Sequence, residues 1–231
     1  MLTNIQDHKE LYIFCSFPHG ANTIHHFLTM TDCCGMLSTV YQGPRRDLCA
    51  SILFFIPIVR ELLLFLGCVD ASSMTAHFNL KKRRSLLIFI GGEKEQLMTS
   101  SGENKIYLNS RKGFLKLALE HGAHLVPMYA FGENETYTCV NNLAPQFQKW
   151  LQENLQIGFP ICYGRWGSLI PNKVELQIEI GKPIKVEKMN KKDIRQEQID
   201  DLHKIFVEEM RRLFDRTKTK HGCADKSLEI Y

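Results

Sequence analysis

Cysteine pairs at metal or redox spacing are missing from this 231-residue sequence, which holds eight cysteines but no C-x-x-C. That excludes zinc ribbons and thioredoxin-like redox centres. Several of the cysteines lie inside apolar runs, as buried reduced thiols do in a cytosol-facing protein. Missing too are the G-x-S-x-G nucleophile elbow, the Walker phosphate loop and the G-x-G-x-x-G dinucleotide fingerprint. Without them the common hydrolase and nucleotide-binding classes lose their support. Charge of one sign is scarce, since 29 Lys and Arg against 25 Asp and Glu leave a net +4, and no basic stretch interleaves with aromatics. Nucleic acid is not an expected partner. The opening MLTNIQDHKE has no basic stretch followed by an apolar one, so no signal peptide is read there. Low-complexity tracts, internal repeats and linkers are absent as well, and one domain is expected. The nine histidines are scattered and His25-His26 falls in no ligand spacing, so no metal is expected.

What the sequence does have is apolar runs that stop at polar groups. Leu11–Gly20 (LYIFCSFPHG) reads as a buried strand cut off by Pro18 and Gly20, which leaves His19 on a strand-end turn. The residues Ser85–Ile90 (SLLIFI) repeat the move, ending at Gly91-Gly92 and reaching Glu95. A third run, His124–Phe131 (HLVPMYAF), ends at Gly132 and then Glu133-Asn134. Between the last two, Ser110 is placed to cap a helix over Arg111–His121, with Gly122 as its stop. Strand, helix, strand makes a βαβ unit, so the fold class is α/β with a mainly parallel, mixed sheet flanked by helices. Chemistry in such sheets gathers outside the strand ends. Elsewhere Asn22 or Thr23 could cap a short helix, Ser72 or Ser73 a second through Leu80, and Pro145 opens a third with Phe147, Trp150, Leu151 and Leu155. The Lys81–Arg84 cluster reads either as a solvated helix end or as a phosphate-facing patch. A short strand is expected over Phe159–Tyr163, an edge strand over Val174–Ile180, and a long amphipathic helix over Gln196–Thr217; the polar tail from Lys218 to Tyr231 is expected to be peripheral.

One long hydrophobic stretch stands out, Leu48–Cys68, but Pro57 breaks it and Arg60-Glu61 put charge in its middle. It reads as a membrane-associating helical hairpin, buried or lying at an interface, rather than a spanning helix.

Four blocks in order carry a resemblance: YIF-x-x-x-P-H-G at Tyr12–Gly20, GG-x-x-E at Gly91–Glu95, R-K-G-F-x-K-L-A-L-x-H-G-A-x-L-V-P at Arg111–Pro127 and Y-x-F-G-E-N-E at Tyr129–Glu135. Together with Arg216–Gly222 near the end, they resemble the type-2 diacylglycerol and monoacylglycerol acyltransferase family, over nearly the whole chain. The resemblance implies a glycerolipid-acyltransferase-like fold and transfer of a fatty acyl group from acyl-CoA to a hydroxyl of diacylglycerol, monoacylglycerol or a related lipid alcohol. It further implies work at the cytosolic face of the endoplasmic reticulum membrane and at lipid droplets, with acyl-CoA as co-substrate and no other cofactor. His19 is then the base. Glu95 either orients its imidazole or belongs to the acceptor site. The Gly91-Gly92 amides and Arg111 are candidates to stabilise the oxyanion, Arg111 and Lys112 to meet coenzyme A phosphates, and Pro18, Gly20, Glu133 and Asn134 to complete the substrate site.

The H-x4-D pair of the acyltransferases that make phosphatidic acid is absent, because the residue five beyond His19 is Ile24. The family's H-P-H-G also departs here, Phe17 standing for its first histidine. Phe17 is therefore expected to remove a polar group from beside the site, lowering activity, changing the acceptor or leaving a silent lipid-droplet binding protein. Wax-ester or sterol acyl transfer and a soluble thioesterase are the other rivals. Only ten mostly polar residues precede Leu11, where the resemblance implies a hydrophobic hairpin. Membrane attachment is then expected from Leu48–Cys68 or from a missing exon.

Overall fold

The structure is a computed structural model that describes residues 5, 10–33, 35, 37–140, 146, 148, 150, 154 and 160–231. In chain order its strands are β1 (Tyr12–Phe17), β2 (Arg45–Cys49), β3 (Cys68–Asp70), β4 (Ser85–Phe89), β5 (Lys105–Ile106), β6 (His124–Phe131), β7 (Thr138–Cys139), β8 (Cys162–Tyr163), β9 (Gln177–Ile180) and β10 (Glu229–Ile230). Six of them form one mixed sheet in the order β3-β2-β4-β1-β6-β9. Central β1 runs parallel to β4, with Ile13 opposite Leu86, and parallel to β6, with Ile13 opposite Leu125. All six β1 residues are buried, which is why this strand reads as an unbroken apolar run instead of an alternation. Strand β9 closes one edge antiparallel to β6, and there the alternation returns.

The helices are α1 (Ile24–Thr31), α2 (Val59–Phe65), α3 (Ser73–Lys81), α4 (Gly92–Met98), α5 (Gly113–His121) and α6 (Gln196–Thr217). On one face of the sheet Ile13, Cys15 and Phe17 pack with α5 and with Phe206, Met210 and Phe214 of α6. Burying a side chain such as Phe206, which is fully inaccessible, contributes about 2–3 kcal/mol. Tyr12 and Phe14 face the other way, toward Leu37 and Tyr41. α6 has the bounds that its apolar spacing predicts, and Ser72 caps α3 by accepting from the Thr75 N–H at 3.3 Å.

Four expectations change. Leu48–Cys68 is not a helical hairpin throughout: Leu48 and Cys49 belong to β2, Cys68 to β3, and only the middle is helical, as a 3-10 turn at Ser51–Phe55 followed by α2. Ser110 does not cap α5, whose N-cap is Lys112; its hydroxyl bonds the Tyr107 hydroxyl at 2.9 Å. Thr23 occupies the α1 N-cap without a side-chain cap bond. The tail is not peripheral, since β10 pairs parallel with β5, Leu228 is buried, and the Tyr231 carbonyl accepts from Leu108 and Asn109. Main-chain pairing of this kind leaves no apolar period in the sequence. The helix expected after Pro145, apart from Trp150, lies outside the described residues, as does Phe159.

Candidate active site

β1 stops at Phe17 because Pro18 offers no N–H to continue the ladder; the Phe17–Pro18 bond is cis. Gly20 follows at φ +66°, a conformation that other side chains adopt only under strain, and a Cβ there would come within 2.6 Å of the Glu133 side chain. His19 thus stands half-buried just past the end of the central strand. Its Nδ1 lies 3.1 Å from the Gly20 carbonyl. A carbonyl only accepts, so Nδ1 carries the proton and Nε2 is the basic nitrogen. Burial lowers the imidazole pKa to about 4, against the Gly20 carbonyl and the carboxylates of Glu133 and Glu93. The ring is therefore neutral at physiological pH, the form a general base requires.

This neutrality sets a pH profile. A base must be deprotonated, so activity is lost as pH falls through its folded-state pKa. The acid limb of kcat/KM is expected to have its midpoint near 4, not at about 6.5, where an unperturbed imidazole titrates. A pH–rate series checks this, and a midpoint at the unperturbed value would show that burial does not govern the ring.

Glu95 is buried, at 2% exposure, and does not hold the imidazole. One carboxylate oxygen accepts the His19 main-chain N–H, and the other accepts the Tyr107 N–H at 2.6 Å. It ties the histidine's backbone to the loop before α5. Burial pushes its pKa up to about 8, while the two N–H donors and Arg111 pull the other way. Gly91 is packed against this side chain, leaving no room for a Cβ.

Glu133 is also an anchor. It is fully buried, accepting from Ile24 N–H at 2.8 Å and His25 N–H at 3.0 Å, so a carboxylate from the end of β6 caps the first turn of α1. Its Oε2 lies 2.9 Å from His25 Nδ1, and His25 Nε2 lies 3.0 Å from Ser16 Oγ. Ser16, His25 and Glu133 form a buried chain beside His19. No sequence signal marks it, because its members are far apart in the chain. His19, His25 and His26 gather round Phe89, with ring centroids 5.8, 4.8 and 4.3 Å away. Asn134 donates to the Glu103 carbonyl at 2.9 Å and lines a separate cavity that Pro18 borders.

Arg111 reaches the Gly91 carbonyl and Glu93, each at 3.0 Å, while its buried Nε has no hydrogen-bond partner. Lys112 pairs with Asp200 at 2.7 Å. Both line a cavity of about 560 Å³ that Phe89, Ile90 and Phe114 floor with apolar surface and that Lys116 and Lys191 border. Phe89 joins this cavity to the histidine. The charged site residues read from the sequence thus divide in two. Arg111 and Lys112 open on the cavity, and Glu95 and Glu133 hold the turn that presents His19. Pro18 and Asn134 border the separate cavity.

Phe17 faces the helical layer. It is the last residue of β1 and is fully buried between the sheet and α6, 6.4 Å from the Phe206 ring, whereas His19 lies past the strand end, where the turn at Pro18 has taken the chain out of the strand's alternation.

A diacylglycerol acyltransferase family model matches residues 2–231. A diacylglycerol O-acyltransferase 1 of Eremothecium gossypii is 34% identical over 95% of this chain and 50% of the relative. A human diacylglycerol O-acyltransferase 2 is 36% identical over 94% of this chain and 59% of the relative, and a Saccharomyces cerevisiae diacylglycerol O-acyltransferase 1 is 32% identical over 95% and 55%. The chain spans 50% to 59% of the length of these three relatives. The crystal structure of the 1-acyl-sn-glycerophosphate acyltransferase PlsC from Thermotoga maritima superposes with a TM-score of 0.50 at 17% identity, covering 88% of this chain and 64% of that one, a likeness of fold.

Proposed function

Because the chain belongs to the diacylglycerol acyltransferase family, we propose that it forms the acyl-transfer core of an acyl-CoA:acylglycerol O-acyltransferase that acts on diacylglycerol or monoacylglycerol. The observation that carries the reading is a neutral histidine at the end of the central strand, whose ring meets Phe89, a residue lining a cavity that apolar side chains share with Arg111, Lys112, Lys116 and Lys191. The acceptor hydroxyl gives its proton to His19 Nε2 as its oxygen attacks the thioester carbonyl. The tetrahedral oxyanion is met by the Arg111 guanidinium and the Gly91-Gly92 amides. Collapse expels the coenzyme A thiolate, which takes the proton back from His19. No covalent enzyme intermediate is needed.

The same cavity accounts for the donor. A fatty acyl thioester joins an apolar chain to a phosphorylated carrier, and Arg111, Lys112, Lys116 and Lys191 supply charge where the carrier would lie. Replacing Arg111 with alanine is expected to raise KM for acyl-CoA about tenfold and to lower kcat as well. Initial rates against acyl-CoA concentration test it, and unchanged kinetics would take Arg111 out of the site.

No helix among the described residues is long and apolar enough to cross a membrane. Attachment to the surface of the endoplasmic reticulum membrane or a lipid droplet is supported instead by apolar side chains around α2 and α3: Phe55, Ile58, Phe65 and Met74 are each at least 80% exposed. The deciding experiment gives the chain labelled acyl-CoA with mono- and diacylglycerol, fatty alcohols and sterols in competition. The next glyceride is the expected product. No product above background with any acceptor would overturn the reading, and hydrolysis without acceptor would make it a thioesterase.

A further inference from the structure

Away from His19, three side chains with ligand atoms meet where α3 lies against the last turn of α5. His77 Nδ1 is 2.8 Å from His121 Nε2 and 3.7 Å from Glu120 Oε2, and one ligand atom from each residue fits within a 4.8 Å span. None of the three is fully exposed. Zinc bonds of about 2.0–2.1 Å at tetrahedral angles set neighbouring ligand atoms about 3.3 Å apart. The two measured edges straddle that spacing, so small side-chain rotations bring all three atoms to one centre. We propose that His77, Glu120 and His121 bind a divalent transition metal, zinc by ligand type, with water in the remaining position.

The donor set decides the class of ion. Two imidazoles and one carboxylate suit zinc and its neighbours in the first row, whereas calcium and magnesium take oxygen ligands. As the two rings stand, one nitrogen must donate a proton to the other; a metal replaces that proton and satisfies both lone pairs. Glu120 and His121 are adjacent at the end of α5, and Gly122 at φ +67° ends the helix just beyond them. His77 comes from α3, 44 positions away from His121. That separation is why the spacing of histidines in the sequence points to no metal. Both His77 and Glu120 border the cavity assigned above to the donor, so a bound ion would pin its wall without entering the acyl-transfer step.

The test uses the purified chain, stripped with chelator and titrated with zinc chloride by calorimetry. One equivalent is expected to bind, raising Tm by about 5–10 °C at a zinc concentration near 100 times Kd. His77→Ala and, with its volume kept, Glu120→Gln are each expected to weaken binding at least about tenfold while the metal-free Tm stays within a few degrees. Cobalt substitution separates this site from the thiols, because a nitrogen and oxygen set gives no thiolate charge-transfer band. Failure to bind one equivalent, binding unchanged in both variants, or a thiolate band would each overturn the proposal. All of these readouts are independent of acyl transfer.

Discussion

Replacing His19 with alanine is expected to lower the acyl-transfer rate by about 10²–10⁴-fold, the usual contribution of a positioned general base. The fold should survive. Among the described residues the His19 side chain bonds only the neighbouring Gly20 carbonyl, and the contact that fixes the turn is made by the main-chain N–H, which alanine keeps. Circular dichroism and Tm should therefore match the parent chain while turnover collapses at saturating acyl-CoA. Retained turnover would remove His19 from its role. A collapse of turnover together with Tm would show instead that the ring is structural. His19→Gln sharpens the comparison, since an amide fills the space and bonds Gly20 but cannot take up a proton at neutral pH.

The largest loss of stability is expected at Glu133. Substitution by alanine leaves the Ile24 and His25 N–H groups without their acceptor, strips the carboxylate from beside the His25 ring and opens space against Gly20. Leaving these two N–H groups without their acceptor costs about 1–3 kcal/mol each, of which the lost cap of the α1 turn is about 1 kcal/mol. Urea unfolding measures the difference. A loss below about 1 kcal/mol would show that the Ser16–His25–Glu133 chain is incidental. Glu133→Gln should fall between, because its amide presents one acceptor and one donor to two N–H groups. Activity is expected to fall with either variant, since Gly20 and α1 carry the turn on which His19 sits.

Much of the frame was legible in the sequence where local signals agreed. β6 and α6 have the bounds read from apolar runs and helical spacing, and the Pro18-His19-Gly20 turn follows from two residues that break a strand for different reasons. β2 was hidden because it begins Arg45-Arg46-Asp47, and polarity at its start masks a strand whose Arg45 and Asp47 side chains pair at 2.6 Å. At the site, strand-end position identified the residues but not the atoms they hold. Glu95 lies at the expected place, yet it bonds main-chain groups, and nothing in residue spacing distinguishes a carboxylate that reaches an imidazole from one that reaches an amide. His25 joins Ser16 and Glu133 only through tertiary contacts, which no local pattern encodes.

The position of Phe17 bears on how this chain is compared with its relatives. Phe17 sits in the layer between the sheet and α6, while His19 touches Phe89 on the opposite side. The strand ends at Phe17, so the first letter of the motif is a strand residue held by the helical layer and the third belongs to the turn beyond it, and the two answer to different neighbours. Substitution at the first letter of this four-residue signature is governed by how tightly Phe206 can be packed. It says nothing about whether the third letter still works.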